Sequence, residues 1–379
     1  MTEPPLVSVL VKAFNHAPYI RQTIDSILNQ SLQDFEIVVT DDASTDGTSE
    51  IVCGFTDPRI RLQVMPRNLG ISGAMNATIA RARGRYFAIL NSDDWALPGR
   101  LRRQVDFLEA NPEVSLVFGL PQPVDDDGAP AEAYSDFTQP LRLPDFSRRS
   151  WLRQFFFTGN CLCAPTAMIR REAYQAAGAY DRRLTNLQDL DMWIRMLIAG
   201  HAIHVLPEPL TALRIRANHA NMSAPRPDTR LRTQFETGRI LRHFAGFDAM
   251  LFDEVFGDAT RDMVASRASP AQRVAALALR DARLEYQSFA LDVFHATAQD
   301  PDDYDRLRAL TGGIDAYGSR TILELCDTLA SQQATIARLT EALGAQNRRL
   351  AELAGAGTRQ QRADGRLQDA RLAQNVDGA

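Results

Sequence analysis

Apolar and polar positions alternate in blocks along the first 120 residues. Val7 to Val11 is rich in β-branched residues and predicts a strand. Tyr19 to Leu28 carries Ile20, Ile24, Ile27 and Leu28 at helical spacing. Ile37 to Val39 predicts a second strand, with a helix beginning near Thr45 or Asp46. Arg61 to Met65 reads as strand, and Ile71, Met75 and Ile79 mark one face of a helix that leads to strand Tyr86–Leu90. Helix Leu101–Leu108 and strand Val114–Phe118 follow. Such alternation predicts βαβ units and a largely parallel sheet. The first βα turn, Lys12 to Pro18, has no Gly-x-Gly-x-x-Gly, which argues against a dinucleotide-binding domain.

The pattern then changes. From Pro121 to Arg149 the chain is polar and dotted with proline, and Asp125-Asp126-Asp127-Gly128 reads as a solvated turn. Past Pro227 the sequence looks mostly helical to about residue 312. Ile322, Leu329, Ile336, Leu343 and Leu350 then recur every seven residues, with Leu325, Gln332, Leu339, Gln346 and Leu353 at the other seam position. Sustained heptads predict a coiled coil and a homo-oligomer through residues 322–353; the other reading is a helix folded back on its own domain. The expected organisation is therefore an α/β domain over 1–225, a helical extension over 226–315, a coiled coil over 316–354 and a disordered tail over 355–379.

Composition narrows the classes. The 379 residues are 45% hydrophobic and 23% charged, enough for a sizeable core in a soluble protein. A net charge of −5 gives no basic surface for nucleic acid. Nowhere do eighteen apolar residues run together, and the first residues lack a secretory pattern, so a cytoplasmic protein is expected, free or peripheral to the membrane. Cys53, Cys161, Cys163 and Cys326 are too few and too scattered for a disulfide framework, and Cys161 with Cys163 lacks a second pair for zinc.

Candidate chemistry sits in two acidic clusters, each directly after a strand-like run: Asp41-Asp42 with Asp46, and Asp93-Asp94. Ligands of open α/β sheets bind outside the carboxyl ends of the strands. Adjacent carboxylates repel, so they are usually kept together for a cation or a hydrogen-bonded ligand. The outline is that of a nucleotide-plus-metal site.

Several segments, taken together, resemble the family-two glycosyltransferases of the GT-A fold. They are Val7–Asn15 with Ser26–Ser31, Asp41–Thr48, Asn68-Leu69-Gly70 with Asn76, Asn91-Ser92-Asp93-Asp94, Arg170-Arg171-Glu172 with Gly178–Asp181, and Gln188-Asp189-Leu190-Asp191-Met192-Trp193. The resemblance runs in family order over about residues 6–224. It implies a Rossmann-like mixed sheet flanked by helices, here followed by the helical extension and coiled coil. It also implies an inverting transfer of a sugar from a nucleoside diphosphate-sugar, with UDP or dTDP favoured. The acceptor would be a saccharide or lipid-linked hydroxyl, in surface polysaccharide or glycoconjugate synthesis.

Carried over residue by residue, the resemblance places Ala13, Phe14 and Asn15 at the nucleotide, with Phe14 stacking on the base. Asp42 would accept from a ring N–H, and Asn68, Gly70 and Asn76 would line the nucleotide. Asp93 would face the diphosphate, and Asp94 would hold Mn²⁺ or Mg²⁺. Asn91 departs from the commonest family pattern, which has Asp there, and Met75 departs where relatives often have Arg. Asp189 matches the general base; Asp191 is the rival, and on a helix the two side chains diverge by about 200°. Arg216 could hold the diphosphate, and His219 the metal or the diphosphate. The competing functional classes are a catalytically inactive scaffold that oligomerises through the coil, and a nucleotidyltransferase, for which the Gly-rich basic opening loop is missing.

Overall fold

A computed structural model describes residues 3–131, 147–217, 221, 222, 224, 226–266, 268–297 and 338. The expected alternation forms β1 (Val7–Ala13), α1 (Ile20–Leu28), β2 (Phe35–Asp41), α2 (Thr48–Cys53), β3 (Ile60–Val64), α3 (Gly70–Arg81) and β4 (Tyr86–Asn91). These strands pair in parallel, β3 with β2, β2 with β1 and β1 with β4. All seven residues of β2 are buried, as a parallel strand covered on both faces requires. α1 presents Ile20, Ile24 and Ile27 to this core, which is why its spacing was visible.

The rest of the sheet comprises β5 (Trp95–Ala96), β6 (Val114–Val124), β7 (Met168–Arg170) and β8 (Ala202–Arg214), interspersed with α4 (Arg100–Ala110), α5 (Arg148–Phe157), α6 (Arg171–Ala177) and α7 (Gln188–Ile198). The eight strands order as β3-β2-β1-β4-β7-β6-β8-β5. β7 runs antiparallel to both β4 and β6, β5 runs antiparallel to β8, and β6 pairs with β8 in parallel. The sheet is mixed. β6 also continues through Pro121 and Pro123, where loop was expected, and its ladder to β8 is irregular at three places between Val114 and Pro121. Prolines cannot donate to a ladder, and they sit at or beyond these irregularities.

Between residues 227 and 297 the described chain is mostly helical: α8 (Pro227–Ile240), α9 (Arg242–Ala245), α10 (Ala249–Phe256), α11 (Pro270–Leu279) and α12 (Leu284–Thr297). Asp248 caps α10, and Ser269 with Gln272 forms a capping box on α11. These helices share their core with the sheet. Phe156 of α5 meets Phe244, Phe256 and Tyr286 edge-on at ring separations of 5.2, 5.0 and 5.9 Å. The same cluster contains Trp151 and Trp193. The chain divides into two units, Met1–Thr311 and Gly312–Ala379. The expected coiled coil and tail lie outside the described residues, apart from Arg338. Among the described residues no helix is long and apolar enough to cross a membrane.

Candidate active site

β1 is flanked by β2 and β4, with Ala13 beside Asp41 and Lys12 beside Asn91. The two acidic clusters therefore lie at neighbouring strand ends, on either side of the first βα turn. Phe14 in that turn is 46% exposed, unusual for a large aromatic beside a strand end. Asn15 and Ala43 have positive φ, 54° and 64°, a conformation few non-glycine residues adopt. Asn15 ties the two turns together: its N–H donates to Ser44 Oγ at 2.9 Å and its Oδ1 accepts from Thr45 N at 2.9 Å.

On the β2 side, Asp42 accepts from the amides of Leu69 (2.7 Å) and Gly70 (3.0 Å) at the start of α3. Burial raises its pKa, and those two amide bonds only partly offset the rise. Asn68 donates to the Asp42 carbonyl and accepts from Gly70, whose φ of 75° suits glycine. Asn76 holds the backbone N–H and carbonyl of Tyr180 with its two amide ends. The structure thus gathers Asp42, Asn68 and Gly70, but much of their hydrogen-bonding capacity serves the protein itself. Asp41 differs. Its Oδ1 accepts from Ser44 N at 2.7 Å, while its buried Oδ2 has no partner among the described residues.

At the end of β4, Asp94 Oδ1 accepts from Arg214 N (2.8 Å) and Oδ2 from Asn91 Nδ2 (2.9 Å). Burial, and then the charge of Asp93, push its pKa well up. Lys12 Nζ donates to the other end of the Asn91 amide. An aspartate at 91 could accept from Lys12 but could not donate to Asp94, which accounts physically for the departure from the family pattern. The Asp93 carboxylate forms no hydrogen bond among the described residues; His16 Nε2 stands 3.8 Å and Arg216 Nη1 3.9 Å from its Oδ2. His16 is fixed by Ser92 Oγ, 2.6 Å from its Nδ1. Burial lowers its pKa against the pull of Asp93. Arg214, 2% exposed, donates to the carbonyl of Asp93 and to Gln22 and so latches the acidic turn to α1 and β8.

Across the site, Asp189 lies in the first turn of α7. Its Oδ2 accepts from Asn160 Nδ2 at 3.0 Å and its Oδ1 from its neighbour Leu190 N at 2.8 Å. Burial raises its pKa to about 6. A cavity of about 30 Å³ is lined by Lys12, Ile89, Met75, Tyr180, Gln188 and Asp189, so the base candidate and the strand-end lysine share one space. Gln188 Oε1 is buried without a partner among the described residues. Burial lowers the Lys12 pKa, opposed by the charges of Asp93, Asp94 and Asp189. Asp191 faces elsewhere, bound to Arg195 (2.8 Å) and His243 (2.7 Å). Burial would raise its pKa, but those partners outweigh it and the net shift is downward. A larger depression, of about 540 Å³, lies at the opposite ends of the strands beside Leu6, Arg83 and Arg170, away from these acids.

His219 lies outside the described residues, and among those described no three His, Cys, Asp or Glu side chains form a metal-holding cluster. Sequence reasoning passed over Lys12, His16, Asn160 and Arg214. Lys12 alone left a signal, a charge at the end of an otherwise apolar strand.

The model of glycosyl transferase family 2 matches residues 8–178. An uncharacterized glycosyltransferase of Methanocaldococcus jannaschii is 30% identical over 217 residues, covering 56% of this chain and 72% of that protein. The Bacillus subtilis protein TuaG, named for teichuronic acid biosynthesis, is 31% identical over 218 residues, covering 56% of this chain and 81% of its own. The fold is that of S. aureus TarS 1–349, solved with UDP-GlcNAc, at a TM-score of 0.51 and 18% identity over 80% of this chain and 81% of that one.

Proposed function

The chain belongs to glycosyltransferase family 2, and from that premise we propose that it moves a sugar from a nucleoside diphosphate-sugar to an acceptor hydroxyl with inversion at the anomeric carbon. The observation that carries this reading is the Asp189 carboxylate, buried with a pKa of about 6 in the cavity it shares with Lys12. A base of that strength accepts a proton readily at neutral pH yet is mostly ionised there. Inversion by in-line attack needs one such carboxylate rather than a pair. Asp191, held by Arg195 and His243, is poorly suited to the task.

Phe14 offers an exposed ring for the base, and Asp42, whose two oxygens accept one amide each and keep lone pairs free, is an acceptor for a ring N–H. Lys12 and Arg216 bring positive charge to the strand-end acids, where a diphosphate needs it. Asp93, with no hydrogen bond on its carboxylate among the described residues, is an oxygen donor suited to Mg²⁺ or Mn²⁺, and Asp94 is fixed beside it. Such a cation would offset the charge that builds on the departing diphosphate. The names of relatives such as TuaG favour a polysaccharide or another cell-surface glycan as the product.

The test is donor hydrolysis without acceptor, using UDP-, dTDP- and GDP-sugars with Mn²⁺, Mg²⁺ or chelator. Early-time NMR reads the anomer released. An inverted anomer is the expected result; hydrolysis of none of the donors, or release with retention, overturns the reading.

A further inference from the structure

The helix that bears Asp189 is not capped by its own sequence. Leu187 precedes it at φ −114° and ψ 23° and supplies no side-chain cap. A helix start leaves amides without partners, and an anion there is favoured by the helix dipole. The anion comes from fifty residues away. Glu236, on α8 and only 2% exposed, accepts at Oε1 from Thr185 N (2.8 Å) and Thr185 Oγ1 (3.0 Å). Its Oε2 accepts from Asn186 N (2.9 Å) and Leu187 N (2.7 Å). Asn186 in turn donates to Thr229 O and Thr233 Oγ1 of α8, both at 3.1 Å. On the far side of Asp189, His243 of α9 binds Asp191 at 2.7 Å. The turn carrying Asp189 is therefore gripped on both flanks by the helical extension.

We propose that Glu236 is a positioning residue for sugar transfer: by gathering three successive amides just ahead of α7, it fixes the first turn of that helix and with it the place of the Asp189 carboxylate. This rests on the reading of Asp189 as the base. The four donors of this buried carboxylate all fall on the three residues that lead into α7, two to four positions ahead of the proposed base. It also gives the extension a role in the reaction, since α8 and α9 hold the residues around Asp189 from outside the cavity that Asp189 lines.

Glu236→Gln keeps the shape but, whichever way its amide turns, sets an NH₂ against at least one backbone N–H donor. The expected result is a loss of transfer of about 10- to 10²-fold in kcat. KM for the nucleotide sugar and the affinity for UDP by calorimetry should stay within about two-fold, because those contacts lie on β1, β2 and β4. Backbone amides 185–187 should exchange faster with deuterium while those of β1 and β2 do not change. The acidic limb of the kcat profile should move below its wild-type position as the loosened turn lets water reach Asp189. Glu236→Asp should restore part of kcat. Thr185→Val removes one of the four donors, leaves the charge, and should show a smaller loss of the same kind; it carries the test should Glu236→Gln fail to fold. Wild-type kcat and pH profile in these variants overturn the proposal, as does a loss that falls on KM alone, provided Asp189→Asn abolishes transfer. If Asp189→Asn itself transfers normally, it is the assignment of the base that has failed.

Discussion

The two halves of the sheet are held in different ways. In the parallel half, β3-β2-β1-β4, every pair is parallel and the ladders run without a register shift. Glu36, 2% exposed, binds Ser8, Arg61 and Arg83 beneath the strands, while Thr78 links α3 to Thr40. In the mixed half, β7-β6-β8-β5, the β6–β8 ladder slips register, and the residues leading into the helix that carries Asp189 are held by Glu236 of α8. Arg214 of β8 latches the acidic turn after β4, and Glu236 of α8 holds the turn that leads to Asp189. Lys12 and Asp189 meet at the join.

The sharpest way to break that picture is at the base. Asp189→Asn should lower transfer by about 10²-fold or more while leaving UDP binding intact. Asp191→Asn should cost much less in transfer, since Asp191 serves Arg195 and His243. The reverse ranking would shift the role. The pH dependence has a definite sign: a base must be deprotonated, so wild-type kcat should climb through about pH 6, the Asp189 value, and level above it. The same raised value means that ionised Asp189 weakens the fold above its ordinary carboxylate range. Asp189→Asn should therefore melt higher than wild type at pH 8, by about 1–2 kcal/mol, with the gap closing below about pH 4. A variant less stable at pH 8 than at pH 4, relative to wild type, would contradict the burial argument.

How much was legible follows the same division. The strands at Val7, Ile37, Arg61, Tyr86 and Val114 were visible because each is an apolar or β-rich run bounded by turn residues. β5, with two residues, and β7, with three, are too short to show a period, and β6 runs through prolines that read as loop. Asp93, Asp94 and Asp189 were singled out by their motifs, and the structure brings the charges of all three to bear on Lys12. Glu236 was invisible, because one acid on a polar helix carries no local sign that it holds the turn before another helix fifty residues earlier. Its meaning exists only in the packing.

A smaller effect compares glycines across the join. At Gly84, entering β4, an added Cβ would lie 2.5 Å from Ser8 N and 2.8 Å from Val7 C, so β1 itself must shift. At Gly119, in β6, it would lie 2.6 Å from Leu210 Cδ1 and Cγ, a side chain in a strand whose pairing is already irregular. Both changes overpack a core. Gly84→Ala should cost about 3 kcal/mol in urea unfolding and Gly119→Ala about 1–2 kcal/mol. Equal costs would mean that the parallel half is no more rigid than the mixed one.

The mildest expected effect tests the local ties of the parallel half by themselves. Glu36 loses solvation on burial, which alone would raise its pKa, but hydrogen bonds from Ser8, the Arg83 backbone and the two guanidinium groups bring it below the ordinary 4.5. A carboxylate whose folded value is depressed stabilises the fold above its unfolded pKa, and that contribution is lost as pH falls through the folded value. The Arg61 and Arg83 side chains are 35% and 45% exposed, so solvent screens much of each attraction. Glu36→Gln should accordingly cost only about 1 kcal/mol at pH 7, read as a shift in urea midpoint at unchanged slope. The difference from wild type should shrink as the pH drops below 4.5 and Glu36 itself takes up a proton. Because these bonds lie beneath the strands and away from Lys12, transfer by the folded variant should match wild type. A pH-independent cost would show that packing, rather than charge, holds the parallel half together, and lost transfer would show that the donor side also depends on distant support.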